Sequence, residues 1–228
     1  MLIHKIKKMI PSFLRVYLRR LSKLVKYRLR YFILRQAATK DNHINLILGA
    51  AETSQKGWYS TNYEWFDISK SNDWDRIFNG KVIVKKMVAE HVFEHLTADQ
   101  MSAALSLAHQ HLIPGGKLRI AVPDGYNPNS IYRAHVDVGG IGADASDHKQ
   151  LLNCDILREA LIHAGFQSTL LEGYSSSGEL VSNAICEQDG FILRSRANPK
   201  EIKAQGWDFP NSKTSLIIDA IKLTKLPS

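Results

Sequence analysis

Ile44-Asn45-Leu46-Ile47-Leu48-Gly49-Ala50-Ala51 is the stretch from which the fold can be read. A short apolar run stopped by a glycine predicts a buried strand entering a tight turn. The pattern recurs downstream. Trp65-Phe66-Asp67-Ile68 predicts a second strand ending in an acid, and Lys81 to Val88, β-branched at 82, 83, 84 and 88, a third. Met101, Leu105, Ala108 and Leu112 fall at helical spacing and predict a helix over Ala98 to Leu112, stopped by Pro114-Gly115-Gly116. Lys117 to Val122 predicts a fourth strand, ended by Pro123-Asp124-Gly125. Asp155 is expected to cap a helix over Ile156 to Ala164, which Gly165 stops. Phe166 to Glu172 reads as a further strand, and Phe191 to Arg194 with Ser215 to Ile221 as a closing pair. Strands alternating with helices predict an α/β fold around a mostly parallel sheet.

In such sheets ligands bind beyond the carboxyl ends of the strands. The residues to inspect are therefore Gly49 to Ser54, Asp67, Ala89 to His95 and Pro123 to Asn127. Gly49 lets the backbone turn and approach a ligand, and the small residues Ala50 and Ala51 keep the space open. The bland reading is a turn and nothing more. Asp67 at a strand end can accept the hydroxyl protons of a ribose, or it is an ordinary loop acid or cap. In Ala89-Glu90-His91-Val92-Phe93-Glu94-His95-Leu96, Glu90/Glu94 and His91/His95 are i,i+4 pairs, which share a helix face. The H-E-x-x-H order of a zinc helix is absent, so no metal site is expected; mixed His/Glu ligation stays open as a lesser reading, beside acid–histidine pairs that merely hold a turn.

The block Glu90 to Leu96, followed by His111-Leu112-Ile113-Pro114-Gly115-Gly116-Lys117-Leu118, resembles class I S-adenosylmethionine-dependent methyltransferases. Those read as E-H-x-x-E-H-L after one central strand and L-x-P-G-G before the next. Together with Arg119 to Gly125, Asp147-His148-Lys149, Ala164-Gly165-Phe166 and Ser215 to Ala220, the set is similar to a small bacterial group of type 11-like predicted methyltransferases, often linked with glycan or surface-polymer genes. The resemblance spans roughly residues 43–222 and rests on the blocks as a set.

It implies a Rossmann-like sheet with helices on both faces, S-adenosylmethionine as cofactor, and a small-molecule or glycan acceptor. Gly49, Ala50 and Ala51 would form the loop under the methionine part, Asp67 would hold the ribose, and Ala89 and Glu90 would lie beside the sulfonium end. Asp73 and Trp74 are the expected edge of the adenine pocket. The relatives usually carry a second glycine where this chain has Ala51. The segment from Asp67 to Glu90 is also too short for the full helix-and-strand unit of larger relatives.

Methyl transfer asks the protein for position and electrostatics. An acceptor oxygen or nitrogen also needs a base. The candidates are His91, His95 and His148, with Asp124 as orienter. The stretch around Gly139, Gly140 and Gly142 reads either as a lid or as a plain surface loop. The alternative to an enzyme is a non-catalytic methyltransferase-like domain serving as a membrane-surface or partner-binding module.

Composition separates two regions. The chain has 228 residues and a formal net charge of +8. Of its 30 basic and 22 acidic residues, 12 basic and none of the acidic ones lie in residues 1–40, so residues 41–228 carry 18 against 22, a net of −4. A basic amphipathic helical leader over 1–40 is expected to precede a methyltransferase-like domain over 41–228. The leader has no uncharged apolar run of ~18 residues, so it is not expected to span a membrane. It suits an anionic membrane surface through residues 1–36, or packing on the body, and a cytoplasmic or inner-membrane-face location follows. The acidic body argues against nucleic acid. Cys154 and Cys186, far apart, form no disulfide framework.

Overall fold

The structure, a computed structural model, describes residues 12–51, 53–142, 145–193 and 215–224. Helix α1 (Ser12–Lys40) leads into β1 (Ile44–Leu48) and β2 (Tyr59–Ser60). Helix α2 (Ser71–Phe78), β3 (Val84–Glu90), α3 (Ala98–His111) and β4 (Leu112–Pro123) follow. Then come α4 (Ser130–Val136), α5 (Cys154–His163), β5 (Phe166–Tyr174), β6 (Leu180–Ser182) and β7 (Ser215–Lys222). They build one seven-stranded sheet in the order β2-β1-β3-β4-β7-β5-β6. β2, β1, β3 and β4 run parallel, while β7 is antiparallel to both β4 and β5. The parallel part reproduces the inner strands of a Rossmann sheet, where the chain leaves the centre in both directions.

Register sorts the strand residues cleanly between two faces. Leu48, Ala89, Ile120 and Ile218 are cross-strand neighbours, all in the larger core with Leu34, Trp74, Leu105 and Leu157 from helices α1, α2, α3 and α5. Ile47, Val88, Arg119 and Asp219 form the row on the opposite face. That face is covered, among the described residues, by Trp58, Ile185 and Ile192, with one 3-10 turn over Glu187–Asp189 in place of full helices. The expected Rossmann-like sheet with packed helices is present; among the described residues, α1, α2, α3 and α5 pack on one face and the 3-10 turn on the other.

Several local expectations need correction. Trp65 to Ile68 is not a strand: the Asn62 carbonyl accepts the amides of both Trp65 and Phe66, at 3.1 and 2.9 Å, and wraps the chain into a turn. Phe66 is buried, as a strand residue would be, but by its edge-on packing with Trp74. Asn153, not Asp155, caps α5, accepting from the amides of Asp155 and Ile156. Phe191 to Leu193 pairs with no strand; β7 instead inserts between β4 and β5. The remainder of that expectation, Arg194, lies outside the described residues. Pro114 to Gly116 belongs to β4, which slips its register against β3 there.

Helix α1 follows the docking alternative along its second half. Tyr27, Leu34, Ala37 and Ala38 are buried. The Tyr27 hydroxyl donates to Glu64, 3.1 Å away, and Lys23 pairs with the same carboxylate at 2.7 Å. Among the described residues no helix is long and apolar enough to cross a membrane.

Candidate functional site

The strands β1 and β3 are adjacent, yet the chain leaves β1 toward β2 and β3 toward β4, on opposite sides. This is a topological switch point, the place where open α/β sheets bind ligands. The carboxyl ends there are Leu48-Gly49 and Glu90-His91. Gly49 has φ +60°, and a Cβ on it would meet Val92 Cγ2 at 2.6 Å, so both backbone and space call for glycine. His91, at φ 54°, and Ala51, at φ 47°, hold the left-handed conformation without being glycine. Such strain persists where the surroundings over-determine it.

A cavity of about 500 Å³ opens beside these turns, lined by Gly49, Asp67, His91, Val92, His95 and Asp147 among others. That size suits a small-molecule site. Asp67 is buried and accepts from the Ser69 amide at 3.0 Å and the Ser69 hydroxyl at 2.7 Å; Lys70 pairs with it at 3.1 Å. Burial pushes its carboxyl upward, but those donors and the ammonium outweigh it and hold the group below the usual range. Asp67 is therefore an ionised acceptor at neutral pH. His91 Nδ1 lies 2.9 Å from Glu94 Oε1, and its backbone amide donates to the Ala121 carbonyl.

Of the expected site residues, Gly49, Asp67, His91 and His95 meet at this cavity. Others do not. Ala50 and Ala89 are buried in the packing of the two opposite faces. Ala51 is exposed, and its carbonyl takes bonds from Arg30 of α1 and from Asn62. Glu90 turns toward the second face, where it accepts the Leu193 amide at 3.0 Å. Its i,i+4 pairing with Glu94 fails because β3 runs through Glu90 and only one 3-10 turn, Phe93–His95, follows.

Trp74 is fully buried, stacked on His111 with ring centroids 4.7 Å apart, and its Nε1–H donates to the Ile68 carbonyl. It has no face left for an adenine. Asp73 accepts the Asp67 amide and pairs with Arg76 at 2.6 Å; it lines a second hollow of about 860 Å³ between α1 and the segment from Tyr63 to Arg76, which shares Tyr63 and Asp67 with the first. Asp124 lies away from the cavity, under β5, where it accepts the amides of Tyr174 at 2.7 Å and Tyr126 at 2.9 Å. Burial raises its carboxyl pKa despite those amides, and the role on view is to tie the turn after β4 to the end of β5. The glycine-rich stretch folds back on α4, with the amides of Ile141 and Gly142 on the carbonyls of Ala134 and His135, and does not stand over the cavity.

Two residues next to the site carry more than their sequence context announces. Asn62, which closes the turn after β2, is buried and takes Arg30 Nη1 on its side-chain oxygen at 3.1 Å. Its signal is an asparagine two positions after Gly57-Trp58-Tyr59-Ser60. Glu94 stands out in the sequence only for its spacing, yet it is 1% exposed and bonded to His91 of the cavity lining.

No family model and no curated protein matches the chain. Solved structures do. An S-adenosylmethionine-dependent methyltransferase from Archaeoglobus fulgidus is 16% identical, over 88% of this chain and 94% of that one, with a TM-score of 0.46. One from Mesorhizobium loti is 12% identical, over 84% and 97%, at 0.44. An O-methyltransferase family protein from Burkholderia thailandensis is 8% identical, over 91% and 57%, at 0.45. The fold assignment itself rests on the strand order and registers above. The chain has a Rossmann-like α/β fold, and it is similar in structure to S-adenosylmethionine-dependent methyltransferases.

Proposed function

We propose that this chain is an S-adenosylmethionine-dependent methyltransferase acting on a small-molecule or glycan acceptor. The observation that carries the reading is Gly49 and Asp67 on one cavity at the switch point, the first with no room for a Cβ and the second an ionised, buried hydroxyl acceptor. These residues fit the cofactor: the Gly49 turn suits the methionine end and Asp67 the ribose. The cofactor brings an already activated methyl group, so the chain's part is to bind, orient and accept a proton. His91, oriented by Glu94, faces the cavity and is the proton acceptor; His95 lines the same cavity. Tyr63, Gln100 and Lys149, which also line the cavity, combine an aromatic ring with polar groups, a set suited to the apolar face and hydroxyls of a sugar.

The test is calorimetry with S-adenosylhomocysteine. The wild-type chain binds it, and Asp67→Asn weakens binding about tenfold or more, as loss of a hydrogen bond to a charged group implies. No heat from the wild type at millimolar ligand overturns the reading. Transfer is then read as label passing from methyl-labelled cofactor into a glycan or metabolite fraction.

We also propose that the enzyme works at an anionic membrane surface through α1. Leu14, Leu18, Leu21, Val25, Leu29 and Phe32 are all exposed and fall at i, i+4, i+7, i+11, i+15 and i+18, one stripe. It lies opposite Tyr27 and Leu34, which face the body. The helix has no acidic residue and exposes Arg20, Arg28 and Arg35. An apolar stripe on a basic helix is the make-up of an interfacial helix on anionic lipid.

A further inference from the structure

We propose that Glu94, His95 and His148 form a binding site for one divalent transition-metal ion, contrary to what the sequence spacing suggested. Their ligand atoms all lie within 4.8 Å of one another. Bonds of ~2.0–2.2 Å put ligand atoms at most about 4.3 Å apart, so a small inward turn of the side chains closes the set.

Three features point to a cation. Glu94 is 1% exposed, and while its Oε1 meets His91 Nδ1, its Oε2 is buried with no hydrogen-bond partner. Leaving a buried carboxylate oxygen bare is costly, and a cation removes that cost. His95 Nδ1 is buried and makes no hydrogen bond; it lies 3.2 Å from an Asp147 oxygen, with which it pairs only when the ring is protonated, so the neutral ring keeps a lone pair for a cation. His148, buried, gives its Nδ1–H to the Val136 carbonyl at 2.7 Å. That bond fixes the tautomer and leaves the Nε2 lone pair for a ligand, the arrangement by which metal-bound imidazoles are oriented.

The scaffold holds the pieces in place. The amides of Lys149 and Gln150 both donate to the Glu94 carbonyl, at 2.7 and 3.3 Å, and the Gln150 side chain donates to the carbonyls of Phe93 and Leu96. The turn after β3 and the segment carrying His148 are thus stitched together, with the two imidazole rings 4.9 Å apart and nearly edge to face. Two imidazoles and one carboxylate suit zinc, manganese, iron or cobalt better than magnesium, which prefers oxygen. His95 also lines the cavity with Gly49 and Asp67, so the ligand set borders it. The ion's use there, as an anchor for an acceptor oxygen, rests on the methyltransferase reading; the binding itself does not.

The experiment takes the full chain without a histidine tag, strips it with a chelator and titrates it with Co²⁺. One Co²⁺ per chain with a visible ligand-field band, displaced by Zn²⁺, is the expected result. Glu94→Gln and His148→Gln are each expected to weaken binding more than tenfold, while His43→Gln leaves the band intact. Should either variant fail to fold, His95→Asn supplies the same comparison from a less buried position. No band in the wild type, or an unchanged band in the folded ligand variants, overturns the proposal. S-adenosylhomocysteine calorimetry on the stripped chain separates the two ideas. Heat without Co²⁺ binding sinks the metal site alone, and Co²⁺ binding without heat sinks the methyltransferase reading alone.

Discussion

His111 ends α3 with its ring stacked on Trp74 and its Nδ1–H on the Leu107 carbonyl, 2.9 Å away. Burial lowers its pKa, with the Leu107 bond opposing. A base whose folded pKa lies below its unfolded value, near 6.5, stabilises the fold above that value and loses the contribution as pH falls through the window beneath it. The melting temperature is expected to fall between pH 7 and pH 5, and His111→Phe, which keeps the stack, to flatten part of that fall. At pH 7.5 the variant gives up the Leu107 bond, about 1 kcal/mol. An unchanged pH profile in the variant rules His111 out as the source. Residue by residue, the site was legible where local chemistry decides it. A glycine behind an apolar run announced the Gly49 turn. Trp74 and Asp124 misled because their partners, His111 and Tyr174, stand 37 and 50 positions away along the chain.

At the scale of elements, the leader helix carries the clearest prediction. The wild-type chain should float with phosphatidylglycerol vesicles and not with phosphatidylcholine, and added salt should weaken the association. Leu18→Asp with Val25→Asp puts two charges in the stripe and should abolish flotation without touching the buried Tyr27 and Leu34. Concentration-dependent dimers with no flotation would assign the stripe to a second copy of the chain and end the membrane reading. The long elements were readable from periodicity: α3 and β5 sit within a few residues of expectation. The β2 region was not, because a carbonyl of Asn62 that takes two amides leaves no trace in hydrophobic pattern. The cap of α5 was misplaced by two residues because Asn153 and Asp155 are equally good caps on paper.

For the molecule as a whole, the second face depends on one ionic cluster. Arg119, fully buried, bonds Asp219 through Nε and Nη2 at 2.7 and 2.8 Å, and reaches the carbonyls of Cys186 and Gly190 through Nη1. Lys117 bridges Asp189 and Asp219, and Lys86 pairs with Asp189 at 2.9 Å. Burial pushes Asp189 up, but the two lysines outweigh it and hold the carboxyl below its ordinary range. Removing one partner leaves a bare charge inside, so Asp219→Ala should cost about 3–5 kcal/mol in denaturant unfolding. Arg119→Met with Asp219→Leu should recover most of that. Equal losses in single and double variants would contradict this account. None of the cluster is visible in the sequence. Arg119 and Asp219 come together only because β7 inserts beside β4, a pairing 100 positions apart that no local pattern encodes.

The docking of α1 also bears on how this protein is handled. A shortened chain begun at Asp41 to shed the sticky, positively charged front end would strip Leu34, Ala37 and Ala38 from the main core and free Ala51 and Asn62 from Arg30. What looks like a removable tail in the charge pattern is, from Tyr27 onward, part of the wall.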